Sequence, residues 1–159
     1  MRPNRVLMRD SVIAATIAAL MLILGGCGEK PPIAIEVKDA CSQPNGTNVT
    51  VKGYFSLPKQ LEVTKYTIGG QGAGINYKLI LMTKQDATGD AVFVNMSGTV
   101  DPRPNKIKML PDKYTWNDLV AYTDDNQTVV ASNLVQLSGA VELSDKDKCK
   151  VNVARIEKL

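Results

Sequence analysis

The sequence predicts a mainly β domain, a small five-stranded barrel with one short helix and an inserted glycine-rich loop. Three observations lead there. Apolar and polar residues alternate over several runs of strand length, the period of a half-buried strand. Two of those runs, VTVKGYF and VQLSGAV, place a glycine on the inward set, where a strand bending around a small barrel needs relief. The remaining order is strand, strand, strand, short helix, strand, strand.

Taken in order, Asn48–Ser56 is the first strand, with Val49, Val51, Gly53 and Phe55 alternating against Thr50, Lys52, Tyr54 and Ser56. Leu61–Ile68 alternates as well and reads as an extra strand inserted before the second barrel strand, Tyr77–Thr83. Ala91–Met96 is the third, joined to the second through the turn residues Asp86-Ala-Thr-Gly89. Gly98–Lys113 holds Pro102, Pro104 and Pro111 and is a connection, because proline cannot donate to a ladder. Thr115 and Asp118 then mark a helix start, expected to run to about Tyr122 with Trp116, Leu119 and Val120 on one face. Trp116, the only tryptophan, is expected to seal one end of the core. Thr128–Ala131 either extends the next strand or pairs at an edge. Asn133–Leu143 and Cys149–Ile156 are the last two strands, joined by the polar turn Ser144–Lys148.

Strand order and inward glycines together resemble the OB-fold, a five-stranded partly open barrel, over residues 45–157. An open β-sandwich or a lipocalin-like piece is the rival, although the chain is short for eight strands. The resemblance implies a ligand face on the second and third strands, bordered by the loop between the first two. The candidate residues there are Tyr54, Lys78 and Phe93, with Gly72 in the loop.

The first 26 residues read differently. Arg2, Arg5 and Arg9 precede the 13-residue apolar run Val12–Leu24, too short for a spanning helix of about 20 residues and shaped like a secretory signal peptide. Leu24-Gly25-Gly26-Cys27 resembles the lipobox of bacterial lipoproteins. That resemblance implies cleavage before Cys27 and acylation of its thiol, each buried methylene adding about 0.8 kcal/mol of membrane affinity. It also implies a lipid-anchored location in the bacterial cell envelope; Gly28 after the cysteine favours the outer membrane where one exists. The expected organisation is a signal peptide over 1–26, a lipidated tether over 27–33 containing Pro31-Pro32, and the barrel domain over 34–159.

Losing Arg2, Arg5, Arg9 and Asp10 with the signal lowers the net charge from +3 to +1. A nucleic-acid partner is therefore not expected, and a protein partner in the envelope is. Cys41 and Cys149 remain, and an oxidising compartment tends to pair such residues; two separate buried thiols are the other reading.

The chain has no histidine, which removes the Ser-His-Asp triad, the Cys-His dyad and imidazole metal sites. Ile68-Gly-Gly-Gln-Gly-Ala-Gly74 is glycine-rich, but a strand follows it, whereas a phosphate loop needs a helix N-terminus there. Asp124-Asp125, Asp145 and Asp147 fall in polar turns, and Ser144–Lys148 has too few ligands at calcium spacing. Arg103, Lys106, Lys108 and Lys113 read as a solvated basic stretch flanked by Asp101 and Asp112. The expectation is a non-enzymatic protein with no cofactor, no metal and no catalytic residue, acting as a binding or assembly module.

Overall fold

The structure, a computed structural model, describes residues 30–67, 73–144 and 148–159. Residues 1–29, and with them the expected signal peptide and Cys27, lie outside the described residues, as does Gly72. Pro31–Leu159 is one compact unit.

Its strands are β1 (Ile33–Ala34), β2 (Asn48–Ser56), β3 (Glu62–Thr67), β4 (Ala73–Met82), β5 (Ala91–Thr99), β6 (Lys106–Lys108), β7 (Val120–Tyr122), β8 (Thr128–Val130), β9 (Val135–Ser144) and β10 (Lys148–Lys158). Five of them close a barrel. β2 pairs antiparallel with β4 and β9, β4 with β5, and β9 with β10. β10 closes the ring by running parallel to β5. This is the five-stranded, OB-like barrel expected from the strand order.

Alternation explains the inside. Val49, Val51, Phe55, Leu79, Leu81, Val94, Leu137, Val141 and Val151 are fully buried, while the residues between them face outward. Glycine supplies the bends. A Cβ on Gly139 would fall into the Asn152 carbonyl, and one on Gly53 would sit 2.5 Å from the Met82 carbonyl oxygen. Only glycine lets these backbones approach so closely. Opposite Gly139 the β9–β10 register slips between Val153 and Arg155. This bulge changes which parity points inward, so Val151 and then Ile156 are both buried.

Two features depart from the sequence-based expectation. The helix over Thr115–Tyr122 is absent: only Trp116–Asp118 forms a single 3-10 turn, and Val120–Tyr122 is strand. The capping signal was sound. The Thr115 backbone N–H and Oγ1 both donate to Asp118 Oδ2, at 2.7 and 2.8 Å, which holds the Asp118 carboxyl below its usual range. What the local signal could not show is that Val120–Tyr122 finds β6 and β8 as strand partners, and a ladder satisfies its backbone as a helix would have. β6 in turn adds parallel to the end of β5. Of the two readings of Thr128–Ala131, edge pairing holds: Thr128–Val130 pairs with β7 at an edge and does not extend β9.

Secondly, Trp116 does not seal the core; it is 36% exposed. A 3-10 turn at Val37–Ser42 inserts Val37 and Ala40 among the core side chains instead. A disulfide between Cys41 and Cys149 ties that turn to the start of β10, with Cα atoms 5.5 Å apart. The bridge expected from the two cysteines therefore has a definite structural task, holding the plug to the barrel wall.

Candidate functional site

The outward positions of β4 and β5 are set by the buried ones. Leu79 and Leu81 point in, so Lys78, Ile80 and Met82 take the other parity. Val92, Val94 and Met96 point in, so Phe93, Asn95 and Ser97 share that outer face. The β4–β5 register places Lys78 opposite Asn95 and Ile80 opposite Phe93. Parallel pairing adds β10, with Lys150 beside Phe93 and Asn152 beside Asn95. β9 then contributes Glu142, opposite Lys150, and β3 contributes Glu62, opposite Lys78.

These side chains form a connected surface. The Lys78 Nζ stands 4.4 Å from the centroid of the Phe93 ring and 3.1 Å from each Glu62 carboxylate oxygen. The Lys78 side chain is only 13% exposed, so its stem lies along the sheet and its head is held over the ring. A cation at that range is attracted by the ring quadrupole, by about 0.5–1 kcal/mol at an exposed site. Beyond the ring, Asn95 Nδ2 donates to Asn152 Oδ1 at 3.0 Å, and Asn152 Nδ2 donates to Glu142 Oε2 at 2.7 Å. Lys150 Nζ meets Glu142 Oε1 at 3.0 Å. The Asn152 hydrogen bond, then the Lys150 one, hold the Glu142 carboxyl below the usual carboxylate range. A hollow of about 180 Å³ opens between Glu62, Thr64, Lys78, Asn95, Ser144 and Lys150.

Of the residues named from sequence, Lys78 and Phe93 are in contact. Tyr54 is not brought to them: it pairs with Met82, which pairs with Ala91, two strands and one pleat step from Phe93. Lys150, Asn152, Glu142 and Glu62 were missed. Alternation against Cys149, Val151 and Val153 marks Lys150 and Asn152 as outward-facing, but only the parallel β5–β10 register puts them beside Phe93.

Two of the four turn carboxylates considered for chemistry, Asp124 and Asp125, are held in hydrogen bonds and an ion pair. Asp125 accepts hydrogen bonds from the Thr123 hydroxyl and, at 2.6 Å, from Gln127 Nε2, which lower its pKa. Asp124 accepts from Asn105 Nδ2 at 2.8 Å and pairs with Arg155 at 3.4 Å. Asp125 braces the turn between β7 and β8, and Asp124 ties that turn to Asn105 ahead of β6 and to Arg155 of β10. Asp145 and Asp147 lie outside the described residues. Among the described residues, no three His, Cys, Asp or Glu side chains gather to hold a metal ion.

The Phe93 face thus offers a half-open aromatic ring, cations on both flanks and a ladder of amides, all on rigid strands. It can stack, hydrogen-bond and pair with charge. No family model matches the chain, and no curated protein matches it.

Proposed function

We propose that the protein is a bacterial lipoprotein, anchored in the cell envelope through lipid on Cys27, whose barrel is a non-catalytic binding or assembly module for another envelope protein. The outer membrane is the favoured location where the organism has one. The anchor reading is supported by the Leu24-Gly25-Gly26-Cys27 sequence after its apolar run. The observation that carries the binding reading is Phe93, 36% exposed and bracketed by Lys78 and Lys150 on a rigid sheet face. Exposed aromatics with polar surroundings are typical anchors of protein interfaces.

Two experiments test the parts separately. Cys27→Ala should block lipid attachment and shift the protein out of the membrane fraction; a variant still membrane-bound, or a wild-type chain whose Cys27 carries no lipid, would overturn the anchor. A photo-crosslinking amino acid at position 93 should trap a defined envelope protein, and one at the exposed position Lys158 should not. Equal or absent trapping at the two positions would count against the face.

The alternative is an OB-fold module for an oligonucleotide or oligosaccharide. The contact favouring it is Lys78 over Phe93, on the two strands that such folds use. Binding to a single-stranded oligonucleotide that weakens as salt rises would favour the nucleic-acid version. No binding at low salt would remove it. Saturable oligosaccharide binding lost in Phe93→Ala would favour the carbohydrate version.

A further inference from the structure

A second, unrelated surface opens where β3 and the start of β4 run past the barrel. Lys65 pairs with Ile75 there, and Gly98 lies against Ile75, since a Cβ on it would be 2.5 Å from Ile75 Cγ2. Ile75 has the same parity as Tyr77, Leu79 and Leu81. This row therefore continues the inner wall of the barrel into solvent. Over it lies a hollow of about 490 Å³, walled by Ile75, Val100 and Met109 and edged by Lys65, Arg103 and Asp101. That volume lies within the range of about 300–1,000 Å³ usual for ligand sites.

Three properties of the hollow have no use in the fold. Val100 is 74% exposed and Met109 42%. Neither Lys65 nor Arg103 has an ion-pair partner among the described residues, and Asp101 is the one carboxylate in the described lining. Beside the hollow runs β3, whose six residues are all exposed and whose strand partner among the described residues is β4 alone. Among the described residues no strand pairs with its far edge, and such an edge is a template for one more strand.

We propose that this edge and hollow together bind the C-terminal tail of a protein partner. The tail adds to β3 as a strand, satisfying its own backbone and that of the edge. Its last side chain, apolar, enters between Ile75, Val100 and Met109. Its terminal carboxylate faces Lys65 and Arg103. A C-terminal residue joins an apolar group and an anion within a few ångströms, which matches the wall and the two cations. An anionic lipid offers similar chemistry to the hollow but leaves the β3 edge unpaired, so the peptide is the better fit. This site is independent of the Phe93 face.

The test uses an N-acetylated six-residue peptide of alternating threonine and valine, ending in valine, as the free acid and as the C-terminal amide. Binding is followed by amide chemical shifts in the isotopically labelled protein. The acid should bind about 10- to 100-fold more tightly than the amide, the size of a charge-assisted contact. Shifts should fall on β3, Ile75 and Gly98. The exposed-site double variant Lys65→Gln/Arg103→Gln should lose the preference for the acid, and Phe93→Ala should keep it. Equal affinity for acid and amide, no shifts on β3, or no binding of either peptide would overturn the proposal. So would binding of dodecanoate in the hollow without binding of the peptide, which would assign the site to lipid.

Discussion

Breaking the Cys41–Cys149 bridge should be among the costliest changes available outside the barrel wall. The two cysteines are 108 residues apart, so the bridge closes nearly the whole described unit into one loop. The loop-closure relation for that length gives about 4.8 kcal/mol of lost unfolded-state entropy at 25 °C, and measured removals of native bridges cost about 2–5 kcal/mol. For a domain of this size each kcal/mol moves Tm by about 4 °C. Cys41→Ala/Cys149→Ala should therefore lower Tm by about 8–20 °C, read by circular dichroism on the chain beginning at Pro31 and compared with the oxidised parent. The structure adds a spatial expectation. The bridge pins the turn carrying Val37 and Ala40, both buried in the core, so amide hydrogen exchange in the variant should speed up first at Val37–Ser42. A Tm drop under about 4 °C would refute the constraint argument. Unchanged exchange at Val37–Ser42 would show that apolar packing, and not the bridge, holds the plug.

Other outcomes follow from the same contacts. Gly139→Ala should cost about 1–3 kcal/mol in urea unfolding, the range for overpacking, because its Cβ would enter the Asn152 carbonyl; a neutral result would mean that the β9–β10 pairing yields easily. Phe55→Ala should cost about 3–5 kcal/mol, since Phe55 is 1% exposed. The Glu142 carboxyl should titrate below the ordinary Glu value of about 4.3. A depressed carboxylate contributes stability that is present above its unfolded pKa and lost as pH falls through its folded pKa, so the Asn152–Glu142–Lys150 contacts should weaken only below about pH 4.3. Carbon-detected NMR titration would show this, and Asn152→Ala should raise the midpoint. Trp116 should fluoresce as a partly hydrated indole and be quenched by acrylamide; a fully shielded indole would contradict its place on the surface.

The barrel strands were legible because alternation is a local property that survives folding. Val49, Val51 and Phe55 point inward wherever the strand sits, and the glycines at 53 and 139 mark bends before any partner is known. The helix was misread because the Thr115–Asp118 cap speaks only for its own turn, whereas Val120–Tyr122 becomes strand by pairing with β6 before it and β8 after it, two three-residue runs too short to show a period of their own. Half of the Phe93 face was legible for the same reason. Lys78 and Phe93 come from a hairpin, with near neighbours in sequence, while Lys150 and Asn152 reach them by a parallel pairing that joins residues 57 positions apart.

By itself the sequence determined the five barrel strands, their inward and outward sides up to the bulge in β10, the exclusion of imidazole chemistry and the cysteines available to bridge. These follow from residue type and short-range periodicity. Tertiary structure alone decided that an N-terminal turn plugs the core, that Trp116 stays outside, that a bulge at Val153–Arg155 rephases β10, and that two cations meet an open strand edge at Lys65. Each of these depends on which distant segments share a sheet, and register between distant strands is set by closing the whole barrel, not by any one of them.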